Sequence, residues 1–216
     1  MFRDFGTNEF LYLLFAARWT VALTMVSIVG GSVIGLLVMV LRVMRFAPAK
    51  ALAIAYVQMV QGTPVLGQLF VVYFGIGVFG YDVSPWVAAT IAFSIYSGAF
   101  LGEIWRGCVQ AIPKTQWEAS ASLGLGFLEQ LRYIIIPQAF RISIPPTIGF
   151  WVHLVKNTSL ASVIGFIELT RAGQIINAAT FKPMTVYLVV AAIYFCICFS
   201  LSQWSQRLER TLHVAR

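Results

Sequence analysis

The sequence predicts an all-α integral membrane protein of about five transmembrane helices, with a helical loop held outside the bilayer. Three observations lead there. Hydrophobic residues fill 59% of the 216 positions and charged residues only 11%, with a mean hydropathy of +0.83. Soluble domains carry roughly 25% charged residues, and a chain this short exposes too much surface for so few to cover. The charges are also clustered, which leaves long uncharged runs. Finally, one segment between the runs combines helix-start and turn signals with too many apolar side chains for a free loop. A soluble enzyme, a disordered tail and a disulfide-stapled secreted module are excluded.

The elements follow in order. The N-terminal MFRDFGTNEF mixes both charge signs and no A-x-A-like site follows the first apolar run, so no cleaved signal peptide is expected. Trp19–Leu41 gives 23 uncharged residues, close to the ~20 that cross a bilayer. Ala51–Tyr81 gives 31, enough for one span and a further piece, and Gly62, Thr63, Pro64 and Gly67 within it predict a bent helix. Val83–Gly102 supplies 20 more, with the helix running on to Gly107. The next span, near Tyr133–Val155, is flanked or interrupted by Arg132 and Arg141 and punctuated by Pro137, Pro145 and Pro146. Proline removes a ladder donor, and the freed carbonyls need partners, so this helix is expected to be broken and lodged in a bundle or lining a cavity. Residues 157–182 read as short helices at the far membrane face. Pro183–Gln206, 24 uncharged residues, is the last span.

Five spans put the termini on opposite sides. With Arg42–Lys50 in the cytoplasm, that side holds ten of the fifteen basic residues, against Arg3, Arg18, Arg171 and Lys182 outside and Lys156 in or near the bilayer. The positive-inside rule then places the N-terminus out and the C-terminus in. The net charge of +7 reports this topology, not a nucleic-acid partner. Cys196 and Cys198, two apart in an apolar run, read as small hydrophobes, not metal ligands.

The segment after the third span is the most informative. Thr115 and Glu118, just past Pro113, stand in the S/T-x-x-E relation of a capping box and predict a helix to about Leu123. Gly124 and Gly126 predict a turn, and Phe127–Tyr133 a second short helix. Trp117, Ala121, Leu125, Phe127, Leu128 and Leu131 give this hairpin an apolar face suited to a soluble partner.

Glu118-Ala119-Ser120, Gly124 after three residues, then Ile134, Ile136 and Pro137 resembles the EAA loop of ABC importer permeases. Ser120 replaces the second Ala and Ile136 the Leu. Gln61-Gly62-Thr63-Pro64, Glu103-Ile104-Trp105-Arg106-Gly107, Lys156-Asn157-Thr158-Ser159-Leu160 and Glu168-Leu169-Thr170-Arg171-Ala172-Gly173-Gln174 look like the polar amino-acid branch of those permeases, the histidine, arginine, glutamine and glutamate type. The resemblance implies one permease domain over residues 1–216, with the coupling loop at about 113–137, in a bacterial inner membrane. It implies a second permease subunit, identical or homologous, two cytoplasmic ATPase subunits and an extracytoplasmic amino-acid-binding protein. The ATPase-coupling residues carried over are Glu118, Ala119, Ser120, Gly124 and Pro137.

The chain has no GxxxxGK[ST] loop, so it is read as a transport subunit and not an enzyme. No cofactor is expected on it; ATP and Mg belong to the partner ATPases. The long uncharged runs argue against an ion-driven carrier. Candidate pathway residues are Gln61, Gly62, Thr63, Pro64, Ser97 and Lys156. By resemblance the Gly-Thr-Pro stretch lies near the pathway; the alternative is that Thr63 bonds back to its own helix and Gly62 eases packing. Glu103 and Arg106, three apart, are read as an ion pair, or as a link to the loop. Lys156 would attract a substrate carboxylate or snorkel to the interface. Where the family often has a polar pair, such as Asn followed by Gln or Glu, this chain has Gly149 and Phe150. The function implied is the permease subunit of an ATP-driven, binding-protein-dependent importer of polar amino acids. The alternatives are another small polar solute, or a membrane scaffold for an ATPase.

Overall fold

The computed structural model describes residues 4–44 and 46–214, with side chains to 211. Arg3, Arg45 and Arg216 of the basic tally, and the His213 side chain, lie outside the described residues. The chain forms α1 (Thr7–Val43), α2 (Ala47–Gln61), α3 (Val65–Val78), α4 (Pro85–Gln110), α5 (Lys114–Ser122), α6 (Phe127–Glu129), α7 (Ile136–Asn157), α8 (Leu169–Thr180) and α9 (Pro183–Val214). A π-helical turn, Gln130–Ile135, joins α6 to α7, and a 3₁₀ turn, Thr158–Ile164, continues α7.

Helices α1, α4 and α9 are each long and apolar enough to cross a membrane. Two bent pairs bring the spans to five: α2 with α3, at 101°, and the run Phe127–Ile164 with α8, at 51°. The bend expected at Gly62–Pro64 is therefore a full break. The expected break in the fourth span is absent. Ile136 N–H reaches back five residues to Leu131 O, widening the helix just ahead of Pro137. Pro145 and Pro146 sit inside α7 without ending it, and Ser205 of α9 donates to the Pro145 carbonyl at 3.3 Å.

The centre of the bundle is the contact of α1 with α4. A Cβ on Gly31 would stand 2.3 Å from Ser97 Cβ, one on Gly98 2.4 Å from Ile34 Cγ2, and one on Gly102 2.7 Å from Val38 Cβ. Two glycine pairs spaced by four, Gly31 with Gly35 and Gly98 with Gly102, thus let the backbones close up. That close approach drives association where lipid offers no hydrophobic gain. Tyr56 of α2 fastens to the same helix, donating to Ile95 O at 2.6 Å.

Apolar clusters cap this contact at both ends. At one end Leu13, Ala16 and Ala17 of α1 meet Leu169 and Ile176 of α8 and Val186 and Val190 of α9. At the other, the loop end, Met39 of α1 meets Val109 of α4, Ile135 and Ala139, with Trp117 packed against them. The first end also carries an aromatic belt, Trp19 against Trp86 at 5.7 Å and Trp86 against Phe166 at 5.3 Å, of the kind found at membrane interfaces. There Lys182 pairs with Asp4, and its hydrogen bond and charge hold that carboxyl below the usual range.

The α1–α4 contact sets a test. Gly31→Leu should lower stability by about 1–3 kcal/mol through overpacking, seen as a lower thermal unfolding midpoint in detergent. Gly107→Ala, where an added Cβ meets nothing within 4 Å, should leave that midpoint unchanged or raise it slightly.

Candidate functional site

The loop between α4 and α7 is built around α5. Pro113, extended at ψ 141°, occupies the cap position and α5 starts directly after it. Thr115 is therefore two residues too deep to cap, and the capping box expected from Thr115 and Glu118 does not form. The far end matches expectation closely. Gly124 adopts φ +79°, Leu125 N–H donates to Ser120 O at 3.3 Å and Gly124 N–H to Ala121 O at 2.9 Å. This double closure, with a left-handed residue between, is a Schellman turn, which glycine adopts at least cost.

The second short helix expected over Phe127–Tyr133 is not separate: it is the first part of the fourth span. Glu129 caps its start, accepting from Gly126 N–H at 2.8 Å. Gln130 donates to Leu125 O at 2.7 Å and tethers the turn to this helix. Trp117 stacks on Phe127 at 6.1 Å and faces the bundle. Ser120 is buried, its hydroxyl bonded to Trp117 O at 2.9 Å. Glu118, Ala119, Gly124 and Pro137 are exposed. Beside them Leu123 and Leu128 are 79% and 70% exposed, leaving an apolar surface with an acidic group on it.

The α2–α3 break holds Gln61, Gly62, Thr63 and Pro64, all exposed. Thr63 hydroxyl donates back to Met59 O at 2.9 Å. Gly62 caps α2, and a Cβ there would press to 2.8 Å from Gln58 O. Gln68, which sequence reasoning passed over, ties the break shut by donating to Val60 O at 2.7 Å, Thr63 O at 3.1 Å and Thr63 Oγ1 at 2.9 Å. An amide in an otherwise apolar run was its only signal.

Ser97 lies apart from this break, fully buried against Gly31 in the α1–α4 contact. Lys156 is elsewhere again. It is exposed at the end of α7, in a groove shared with Ser159, Thr170, Tyr187 and Tyr194, and no ion pair holds it among the described residues. Gly149 faces open space, whereas Phe150 is core, stacked on Phe100 at 5.5 Å and beside Tyr96.

Two charged clusters frame these positions. Glu103 pairs with Arg106, as its spacing predicts, and also with Arg42 of α1 at 3.3 Å. Arg106 also donates to Gln110, one turn before the loop. At the opposite end Glu168 is fully buried. It caps α8 by accepting from Arg171 N–H at 2.9 Å, and accepts from Tyr194 of α9 at 2.7 Å and Thr20 of α1 at 3.3 Å. The sequence displayed Glu168 within a recognisable string, but its partners lie too far along the chain to be read.

A helical bundle of up to five candidate spans, the second one broken, with an exposed apolar surface at its loop end, is the architecture of a membrane permease. Residues 27–214 match the family described as binding-protein-dependent transport system inner membrane component, and the chain belongs to that family. It is the permease subunit of an ABC importer. It is 36% identical over 203 residues to the probable amino-acid ABC transporter permease protein YckA of Bacillus subtilis, covering 94% of this chain and 90% of that one. It is 37% identical over 204 residues to the glutamine transport system permease protein GlnP of Escherichia coli K12, covering 94% and 93%. Its fold matches the crystal structure of an amino acid ABC transporter with histidines at a TM-score of 0.92 and 32% identity, covering 98% and 100%.

Glu168→Ala should destabilise the detergent-purified protein by about 2–4 kcal/mol, since it removes a cap and leaves buried hydroxyls unpaired. Tyr194→Phe should cost less, because it deletes one donor and leaves the cap in place. Thermal unfolding of both variants and the double variant should show coupling between the two sites.

Proposed function

We propose that this chain is half of a translocation pathway for polar amino acids. The other half is a second permease subunit, identical or homologous. Two cytoplasmic ATPase subunits bind and hydrolyse ATP with Mg, and an extracytoplasmic binding protein delivers the substrate. The observation that carries this reading is likeness over nearly the whole chain to permeases named for amino acids, glutamine among them.

The coupling loop faces the cytoplasm in this reading, with the N-terminus outside. The charge distribution supports it, because Arg42, Lys50, Arg106, Lys114, Arg132, Arg141, Arg207 and Arg210 all fall at the loop end. Glu118, Ala119, Gly124 and Pro137 form the exposed contact for the ATPase, with Ser120 bracing α5 from beneath. The Gln61–Pro64 break offers backbone carbonyls and amides to the substrate, which suits irregular backbone at membrane depth. Lys156 supplies a positive charge for a carboxylate, since an unpaired ammonium near the bilayer is costly. With no carboxylate at Gly149 or Phe150, polar or acidic amino acids are favoured over arginine and lysine.

Proteoliposomes holding the permease, its ATPase and its binding protein test the whole reading: amino-acid uptake should require ATP. Uptake driven by a proton gradient alone would overturn it. Glu118→Lys should weaken ATPase association or uncouple hydrolysis from uptake, and Gly124→Val should do the same by straining a left-handed turn. Both variants should still insert into the membrane; normal transport by both would refute the docking role. Competition assays read the substrate class, where glutamine, glutamate or aspartate should block uptake at lower concentrations than arginine or lysine. Lys156→Met should raise the concentration for half-maximal uptake and leave the complex assembled.

A further inference from the structure

Between α1, α4, α7 and α9, toward the loop end, lies a cavity of about 500 Å³. Leu36, Val109, Phe140, Ile144, Trp204 and Leu208 are among its walls. Of the polar side chains that α4 and α7 place in it, Trp105, Thr147 and Ser143 are paired, and the indole N–H of Trp151 alone has no partner among the described residues. Trp105 donates to Thr147 at 2.9 Å, Thr147 to Ser143 O at 2.6 Å and Ser143 to Phe140 O at 2.8 Å. Water needs two to four polar partners to stay, so this space is unsuited to it. An empty void of this size would forfeit dispersion contacts all along its lining.

The cavity opens sideways. The far-end cluster binds α9 to α1, whereas no α9 residue enters the loop-end cluster. Leu36 and Trp204, 54% and 48% exposed, stand at the resulting mouth. Leu36 precedes Arg42 by six residues, about 9 Å along the axis, which sets the mouth at acyl-chain depth. Arg207 follows Trp204 by three residues and Arg141 precedes Ile144 by three, so each shares a helix face with a wall residue. Both arginines are exposed, and neither has an ion pair among the described residues.

We propose that this cavity holds one acyl chain of an anionic phospholipid, with the phosphate between Arg141 and Arg207. The leaflet follows from the orientation given above: it is the cytoplasmic one, whose anionic lipids attract arginine. An apolar slot flanked by two unpaired cations fits an amphiphile of that charge and suits neither a polar solute nor a neutral one. The walls include the last turn of α4 and the first turns of α7, which carry the coupling loop between them. The bound chain therefore acts as a wedge that sets their spacing.

The test uses the assembled transporter in nanodiscs of phosphatidylcholine with a minor share of phosphatidylglycerol, followed by native mass spectrometry. One phosphatidylglycerol should be retained per copy of this chain. Ile144→Trp, which fills the slot, should lower retention at least fivefold. Leu36→Trp, at a position more than half exposed, should do likewise by blocking the mouth. The Arg141→Gln/Arg207→Gln variant should retain phosphatidylcholine and phosphatidylglycerol in their bulk ratio. Equal retention in wild type and both tryptophan variants overturns the site. So does a disulfide between Leu36→Cys copies showing that a second permease covers the mouth. Retention is read without transport, so failed uptake would count against the importer reading and not against this site.

Discussion

Everything else in the bundle depends on how closely α1 and α4 approach. Glycines at 31 and 35 on one helix and 98 and 102 on the other leave no room for a Cβ between them. In lipid such contact must come from dispersion and fit, because hydrocarbon surrounds both helices before and after they meet. Once α4 is fixed, its other faces become docking sites. Tyr56 brings α2 to it, while Trp105 through Thr147 and Tyr96 through His153 bring α7. Arg42, at the end of α1, closes the same contact electrostatically on Glu103. The loop around α5 hangs between α4 and α7, so its position is inherited from the glycine seam of α1 and α4.

The spans were legible because charge is expensive in hydrocarbon and so marks boundaries. Helix ends were less so. Arg18 bounded the first uncharged run, yet it lies well inside α1, its guanidinium over the rings of Phe15 and Trp19. A long amphipathic side chain at an interface does not stop a helix. Prolines misled in the same way. Pro137 signalled a break that a single π turn absorbs upstream, while the Gly62–Pro64 stretch, with glycine added, does end its helix. The capping pattern at Thr115 had the right residues, but Pro113 took the cap position first. The glycine spacing that organises the bundle was present in the sequence and went unread among seventeen glycines.

The candidate site was legible in its parts more than in its assembly. The left-handed turn at Gly124 is a local property, and local properties can be read locally. Glu103 was expected to pair with Arg106 and does, but the third member, Arg42, lies on another helix. Glu168 shows the same limit: its capping bond is three residues away, its bond to Thr20 spans 148 positions. The six pathway candidates likewise fall at three separate places. Ser97 is sealed in the core, the Gln61–Pro64 break is knotted by Gln68, and Lys156 stands in a groove against α9.

The fused fourth span bears most directly on coupling. In the proposed importer, a separate helical hairpin would meet the membrane through a flexible joint, and a push from the ATPase would be lost there. Instead the helix that receives Trp117 and the Gln130 tether runs without a break from Phe127 to Ile164, about 55 Å at 1.5 Å per residue. A rod of that length carries a displacement from loop to far face, because packed helices shift as units and do not deform continuously. The first joint comes only at Gly165, where φ is +86° and the chain turns 51° into α8. At that joint the buried Glu168 ties α8 to α1 and α9. The rod is thus anchored by a buried polar corner at one end and by the apolar loop-end cluster at the other, so in the proposed importer a displacement of the loop would move it as a unit.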